Sequence, residues 1–312
     1  MELIEHYQPE FVIRFRAREA ACACLACQAS TGNWPNTRAM MGNQQRDSLN
    51  AACESVAREI LLNPEAFVLH SGEAESADVP EADLWNETLN QQCINMAVHP
   101  TLTLQSSLYA IGVLLSKAQR YVDEKQCDPQ QLIAMGDQLS QLAQSGILNE
   151  QFTMLPPIEV NRVEALGEMG AMRLSLNLPP MQKMMFMLKL SELAVMDPTR
   201  LQDRLRELDA KPIALLEQQP HILRNMLIYR LYGEFFPKDA AANYGEALMS
   251  LTRQFFQLKM LCAMWLEDNG QVTEDDFIAL FSAWYGWVNA CPGAENALHT
   301  SDYTLLCALS LI

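Results

Sequence analysis

Three cysteines crowd into the short run Cys22-Ala23-Cys24-Leu25-Ala26-Cys27. Thiolates are the ligands of soft metals and of iron–sulfur clusters, and short spacings bring two or three of them to one point at low entropic cost. Three thiolates leave a fourth position for Cys53, another distant cysteine, a histidine or an exogenous ligand. The Ala-rich surroundings equally permit an ordinary helix carrying small buried thiols. The chain has nine cysteines, an odd number, and those outside the run are scattered through helical patterns. That reads as reduced thiols in a cytoplasmic protein and not as a disulfide framework. Cys93, Cys127, Cys262 and Cys307 lack neighbouring ligand types and read as packing thiols.

Spacing sets other chemistries aside. The five histidines form no pair three or four residues apart, so no zinc-hydrolase helix is encoded. Gly167 and Gly170 lie in a helical pattern, whereas a dinucleotide loop needs glycines between a strand and a helix. Asp268-Asn269-Gly270, followed by Glu274, Asp275 and Asp276, lacks the alternating carboxylates of a calcium loop and reads as a helix–turn–helix connection. No Gly-x-Ser-x-Gly elbow is present. Met181, Met184, Met185 and Met187 read as filling for a helical core.

The elements that must position the cysteines read as helices throughout, so the sequence predicts an all-α fold, an irregular multi-helix bundle with a short cysteine-containing N-terminal segment. Residues 1–46 form that segment and residues 47–312 the helical domain. From Ser48 to Leu62, apolar residues fall on one stripe, with Asp47 or Ser48 as N-cap. Residues 72–83, rich in acids, read as a solvated linker. Helices then follow over about 84–98, 104–122, 128–146, 159–176, 181–196, 198–209, 213–235 and 240–266, with a last one capped by Thr273 and Asp276.

Of 312 residues, 49% are hydrophobic and 19% charged, enough for a sizeable core. Lys and Arg number 22 against 38 Asp and Glu; the net charge of −16, with no basic cluster to offset it, disfavours nucleic acid as a partner. The longest apolar runs, Met184 to Leu188 and Thr304 to Ile312, fall short of the ~20 residues a membrane span needs. Glu2, Glu5 and Glu10 occupy the place of a secretory signal, so no export by that route is expected.

Gln8-Pro9-Glu10-Phe11-Val12-Ile13-Arg14-Phe15-Arg16, followed by closely spaced cysteines, resembles the opening of the flagellin lysine-N-methylase family of the FliB type. Ser48-Leu49-Asn50-Ala51-Ala52-Cys53 through Arg58 is similar to that family's Ser-Leu-Ser-x-Ser-Cys segment. Ile222 to Leu231, running on to Phe235-Phe236-Pro237, is similar to its carboxy-terminal helix pair. The resemblance implies methyl transfer from S-adenosylmethionine to lysine side chains of flagellin, with a cysteine-bound iron–sulfur cluster in the same polypeptide. Cys22 and Cys27 fall on family cysteine positions, Cys53 matches the last, and Cys24 lies out of register as a substitute for a lost position. If a metal is held, its ligands are therefore expected to be Cys22, Cys24, Cys27 and Cys53. The interval from Gln28 to Asp47 is shorter than the family's and holds no cysteine. Two alternatives stand beside a methylase: a non-catalytic helical relative that binds a flagellar protein without a metal centre, and a small metal-binding or electron-transfer protein.

Overall fold

Polar strands open the chain in the computed structural model, which describes residues 2–18, 22–76, 80–81, 83–156, 158–237, 243–290 and 301–312. Strand β1 (Glu2–Pro9) runs into helix α1 (Glu10–Arg16); a five-residue helix α2 (Leu25–Ala29) precedes the hairpin of β2 (Asn36–Met41) and β3 (Gln44–Leu49). Helix α3 (Glu54–Leu61) and strand β4 (Leu69–Ser76) follow. The strands form one sheet in the order β2-β3-β1-β4, with β1 parallel to β3 and antiparallel to β4. Gly42 and Asn43 make the two-residue turn between Met41 and Gln44, and Gly42 adopts a φ of 51° that a side chain would resist.

The expected all-α fold is thereby corrected to a helical body joined to a four-stranded sheet. The helix expected from Ser48 begins at Glu54, and Asp47 and Ser48 belong to a strand. Residues 72–76, read as linker, pair with β1, while residues 77–79 and 82 of that stretch lie outside the described residues. The physical reason is polar burial. Gln45, Arg46, Asp47 and Ser48 are all buried, so β3 prints no apolar–polar alternation into the sequence.

Fixed partners make that burial affordable. The Asp47 carboxylate accepts from Gln8 Nε2 and Arg16 Nη1, both at 2.9 Å, and meets His6 Nε2 at 3.2 Å and Arg38 Nε at 3.3 Å. Burial alone would raise the Asp47 pKa, but the hydrogen bonds from Gln8, Arg16 and His6 outweigh it and hold the carboxyl at about 2. A carboxyl depressed from an ordinary 3.8 contributes stability above that value and loses it as pH falls towards the folded value. Acid unfolding monitored by circular dichroism is thus expected to lose roughly 2 kcal/mol between pH 4 and 2 through this group alone, a loss that Asp47→Asn abolishes.

The body comprises α4 (Leu84–Ala97), α5 (Leu104–Asp123), α6 (Pro129–Gln144), α7 (Ile147–Thr153), α8 (Glu159–Glu168), α9 (Pro180–Leu193), α10 (Pro198–Asp209), α11 (Ala214–Gln218), α12 (His221–Gly233), α13 (Tyr244–Asn269), α14 (Glu274–Ala290) and α15 (Ser301–Leu309). The helix expected over 213–235 is broken into α11 and α12, and the one over 159–176 gives way to extended chain after a 3-10 turn at Met169–Ala171. Residues 240–242 of the expected long helix lie outside the described residues. Helix α13 is buried around most of its circumference and packs against α5, α8, α9, α10, α14 and α15, which makes it the axis of the core. Among the described residues no helix is long and apolar enough to cross a membrane.

The methionine reading is also corrected. Met181, Met184 and Met185 are 67%, 51% and 46% exposed, and of the four only Met187 packs on the core. Helix α9 buries Phe186, Leu190 and Leu193 instead, which lie on the face opposite the methionine stripe.

Candidate metal centre and adjoining cleft

Helix α3 is fixed at both ends, and that sets where Cys53 points. At its C-terminal end Asn225 Nδ2 of α12 donates to the carbonyls of Ile60 and Asn63, at 2.9 and 2.8 Å. Before its N-terminus the Tyr229 hydroxyl donates to the Leu49 carbonyl at 2.8 Å and accepts from the Ala51 N–H at 3.2 Å. Cys53, fully buried, is the N-cap residue of α3. The first N–H groups of a helix have no intrahelical partner. Here those of Glu54, Ser55 and Val56 face the sulfurs of Cys24, Cys22 and Cys53.

Opposite this helix end lies the Cys22–Cys27 run, with Cys24 as N-cap of α2. The Sγ atoms of Cys22, Cys24, Cys27 and Cys53 all lie within 4.8 Å of one another. Cys27 and Cys53 approach to 3.4 Å, and the Trp34 indole N–H donates to the Cys27 sulfur at 3.3 Å. The structure thus brings together all four cysteines named from the sequence. It adds Trp34 and Ser55 as partners that spacing gave no sign of.

The four thiols are electrostatically unequal. Burial pushes Cys22 up, but hydrogen bonds from the Ser55 hydroxyl and the N–H groups of Cys24 and Ser55 prevail and bring it down to about 7. Burial pushes Cys24 up to about 11 against the N–H groups of Cys27 and Glu54. Cys53 is raised by burial and further by the neighbouring sulfurs of Cys27, Cys22 and Cys24. Four sulfurs so close resist joint ionisation unless a cation compensates them, and a bound divalent ion inverts that balance.

The remaining cysteines form no second such group among the described residues. Cys93, Cys262 and Cys307 are buried, and burial alone raises Cys93 and is the main cause that raises Cys262 to about 12. Cys127 is exposed just before α6, so reading it as a packing thiol is corrected.

A cleft of about 480 Å³ opens beside the quartet, with Cys22 and Cys24 on one wall and Glu54, Ser55 and Arg58 of α3 on its floor. Asn177 and the first turn of α14, through Asp275 and Asp276, close the far side. Glu54 Oε2 accepts from Asn177 Nδ2 at 3.2 Å, and Arg58 pairs with Asp275. Asp276 is held in place by the capping box read from the sequence: its carboxylate accepts from the Thr273 N–H at 3.0 Å, and its own N–H donates to Thr273 Oγ1 at 3.2 Å. Three carboxylates against one guanidinium leave the cleft acidic, suited to cationic groups.

Residues 90–298, about two thirds of the chain, match the family model described as FliB lysine N-methylase C-terminal domain, and the chain belongs to that family. It is similar to the lysine-N-methylases of Salmonella typhimurium (strain LT2) and Salmonella choleraesuis (strain SC-B67), each 21% identical over 264 residues and covering 80% of this chain. The chain spans 65% of the length of these relatives. No solved structure matches it. The cysteine quartet precedes the matched residues, whereas Asn177 and α14 on the far wall of the cleft lie within them.

Proposed function

We propose that this protein transfers methyl groups from S-adenosylmethionine to lysine side chains of flagellin, in the cleft between the cysteine quartet, α3 and α14. The observation that carries the reading is the family match over residues 90–298, which includes one whole wall of that cleft. The donor supplies a sulfonium-bound methyl group. The lysine ammonium gives its proton to water in the open cleft, the freed amine attacks the methyl carbon, the carbon–sulfur bond breaks, and the neutral thioether leaves with the bonding pair. In this reading the carboxylates of Glu54, Asp275 and Asp276 attract the ammonium and sulfonium charges, and Arg58, which pairs with Asp275, is the guanidinium that would meet the donor's carboxylate. The resemblance assigns an iron–sulfur cluster to the cysteines, and no step of this transfer is routed through a metal. The reaction belongs to the cytoplasm, where thiols stay reduced.

The test is steady-state methylation of purified flagellin followed by mass spectrometry of its lysines. Glu54→Gln and Arg58→Ala are expected to lower kcat/KM about tenfold or more with unchanged thermal unfolding, since both side chains are partly exposed and their loss leaves the core intact. Wild-type kcat/KM in both variants would remove the cleft from the mechanism. Saturable binding of flagellin without any methylation by the wild-type chain would replace the enzyme reading with that of a non-catalytic flagellin-binding relative.

A further inference from the structure

We infer that Cys22, Cys24, Cys27 and Cys53 hold one tetrahedral divalent ion in a closed structural site, and not a sulfide-bridged cluster of several irons. The first argument is size. A zinc-type ion bonds thiolate sulfur at about 2.3 Å, so the edge of its tetrahedron is about 3.8 Å. All four sulfurs here lie within 4.8 Å of one another, and Cys27 and Cys53 stand at 3.4 Å. A cluster distributes its thiolates over two or more irons, and sulfurs on different irons splay outward and stand farther apart than the ligands of a single ion. The quartet is drawn too tight for that arrangement.

The second argument is mechanical. Helix α2 has five residues and buries none of them, and Leu25 is 40% exposed. An isolated turn of that length does not hold itself together, and apart from its cysteines this one sets only Ala26 against the core. What the segment sends inward is Cys22, Cys24 and Cys27, which meet Cys53 at the fixed N-terminus of α3. An ion shared by the four therefore fastens the stretch from Cys22 to Ala29 to α3, whereas the rest of the N-terminal segment is held by the sheet and by the buried Phe11 and Val12 of α1.

The third argument is charge. Four thiolates around a divalent ion leave two negative charges. The N–H groups of Cys24, Cys27, Glu54, Ser55 and Val56 and the Trp34 indole are already turned towards the sulfurs, as the shell around such a site requires. With four protein ligands the ion has no open position, so it fixes the wall of the cleft and takes no substrate.

The experiment is metal and acid-labile sulfide analysis of the full chain purified without oxygen, together with cobalt substitution. One zinc or one iron per chain with no labile sulfide is expected, and the cobalt form should show the intense visible bands of tetrahedral coordination with thiolate-to-cobalt charge transfer. Several irons with matching sulfide would overturn the inference, as would failure of zinc or cobalt to bind stoichiometrically. These readouts need no substrate, so a one-ion protein that leaves lysines unmodified would sink the methylase reading and leave this one standing.

Discussion

Cys53→Ser is expected to abolish stoichiometric metal binding and to cost about 3 kcal/mol of folding stability when free metal is held near a hundred times its Kd. The figure is the binding free energy that linkage adds to the folded state alone. Loss of a buried thiol also has a packing cost, and chelation separates the two. Stripping the wild-type chain should remove the metal contribution, whereas the same treatment of the variant should change nothing further, because the ion is already gone. Cys262→Ser provides the contrast. It is buried and lies outside the quartet, so its cost should add to that of chelation in full. Cys127→Ser, at an exposed position, should be neutral in both measurements. Denaturant titrations of the four proteins with and without chelator check all of these outcomes, and full additivity for Cys53→Ser would contradict the account.

Asn90→Leu is the second substitution with a large expected effect. Asn90 is fully buried; its Nδ2 donates to the carbonyls of Leu231 and Phe236, both at 2.8 Å, and its Oδ1 accepts from Arg46 Nη1 at 2.9 Å. Arg46 itself sits over the Phe235 ring at 4.1 Å, and burial lowers its pKa to about 10. One amide thus ties α4, β3 and the end of α12 together. Leucine keeps the branched skeleton of asparagine but is bulkier, and it leaves two carbonyls and a buried guanidinium short of a partner, at a cost of about 3–5 kcal/mol. Gln91→Ala, one residue on and exposed, should cost less than about 0.5 kcal/mol. Urea unfolding should show a large fall in midpoint for Asn90→Leu with little change in slope, and equal midpoints for the two variants would refute the assignment.

Helices were legible where amphipathic stripes met local capping chemistry. Asp128 accepts from the Gln130 N–H and Asp197 from the Arg200 N–H, each at 3.0 Å, in front of the prolines that open α6 and α10. The sheet was not legible, because β3 buries polar residues whose partners come from β1, α1 and α4. A local signal did exist in Gly42-Asn43, a pair that fits a two-residue hairpin turn. The Met181, Met184 and Met185 stripe misled because α9 is apolar on two faces, and spacing alone says nothing of which one is covered. At the site, the cysteines stood out by residue type and by family resemblance. Trp34, Ser55 and the cleft did not, since the lining comes from segments near residues 22, 54, 177 and 275, and their meeting is a property of the tertiary fold.

The central claim, lysine methylation in the cleft, is tested most directly by incubating the metal-replete chain with flagellin and S-adenosylmethionine deuterated in its methyl group. The account predicts deuterated methyl groups on flagellin lysines, dependent on the chain and strongly reduced by Glu54→Gln. Unlabelled lysines under conditions in which the Salmonella typhimurium relative labels them would contradict it.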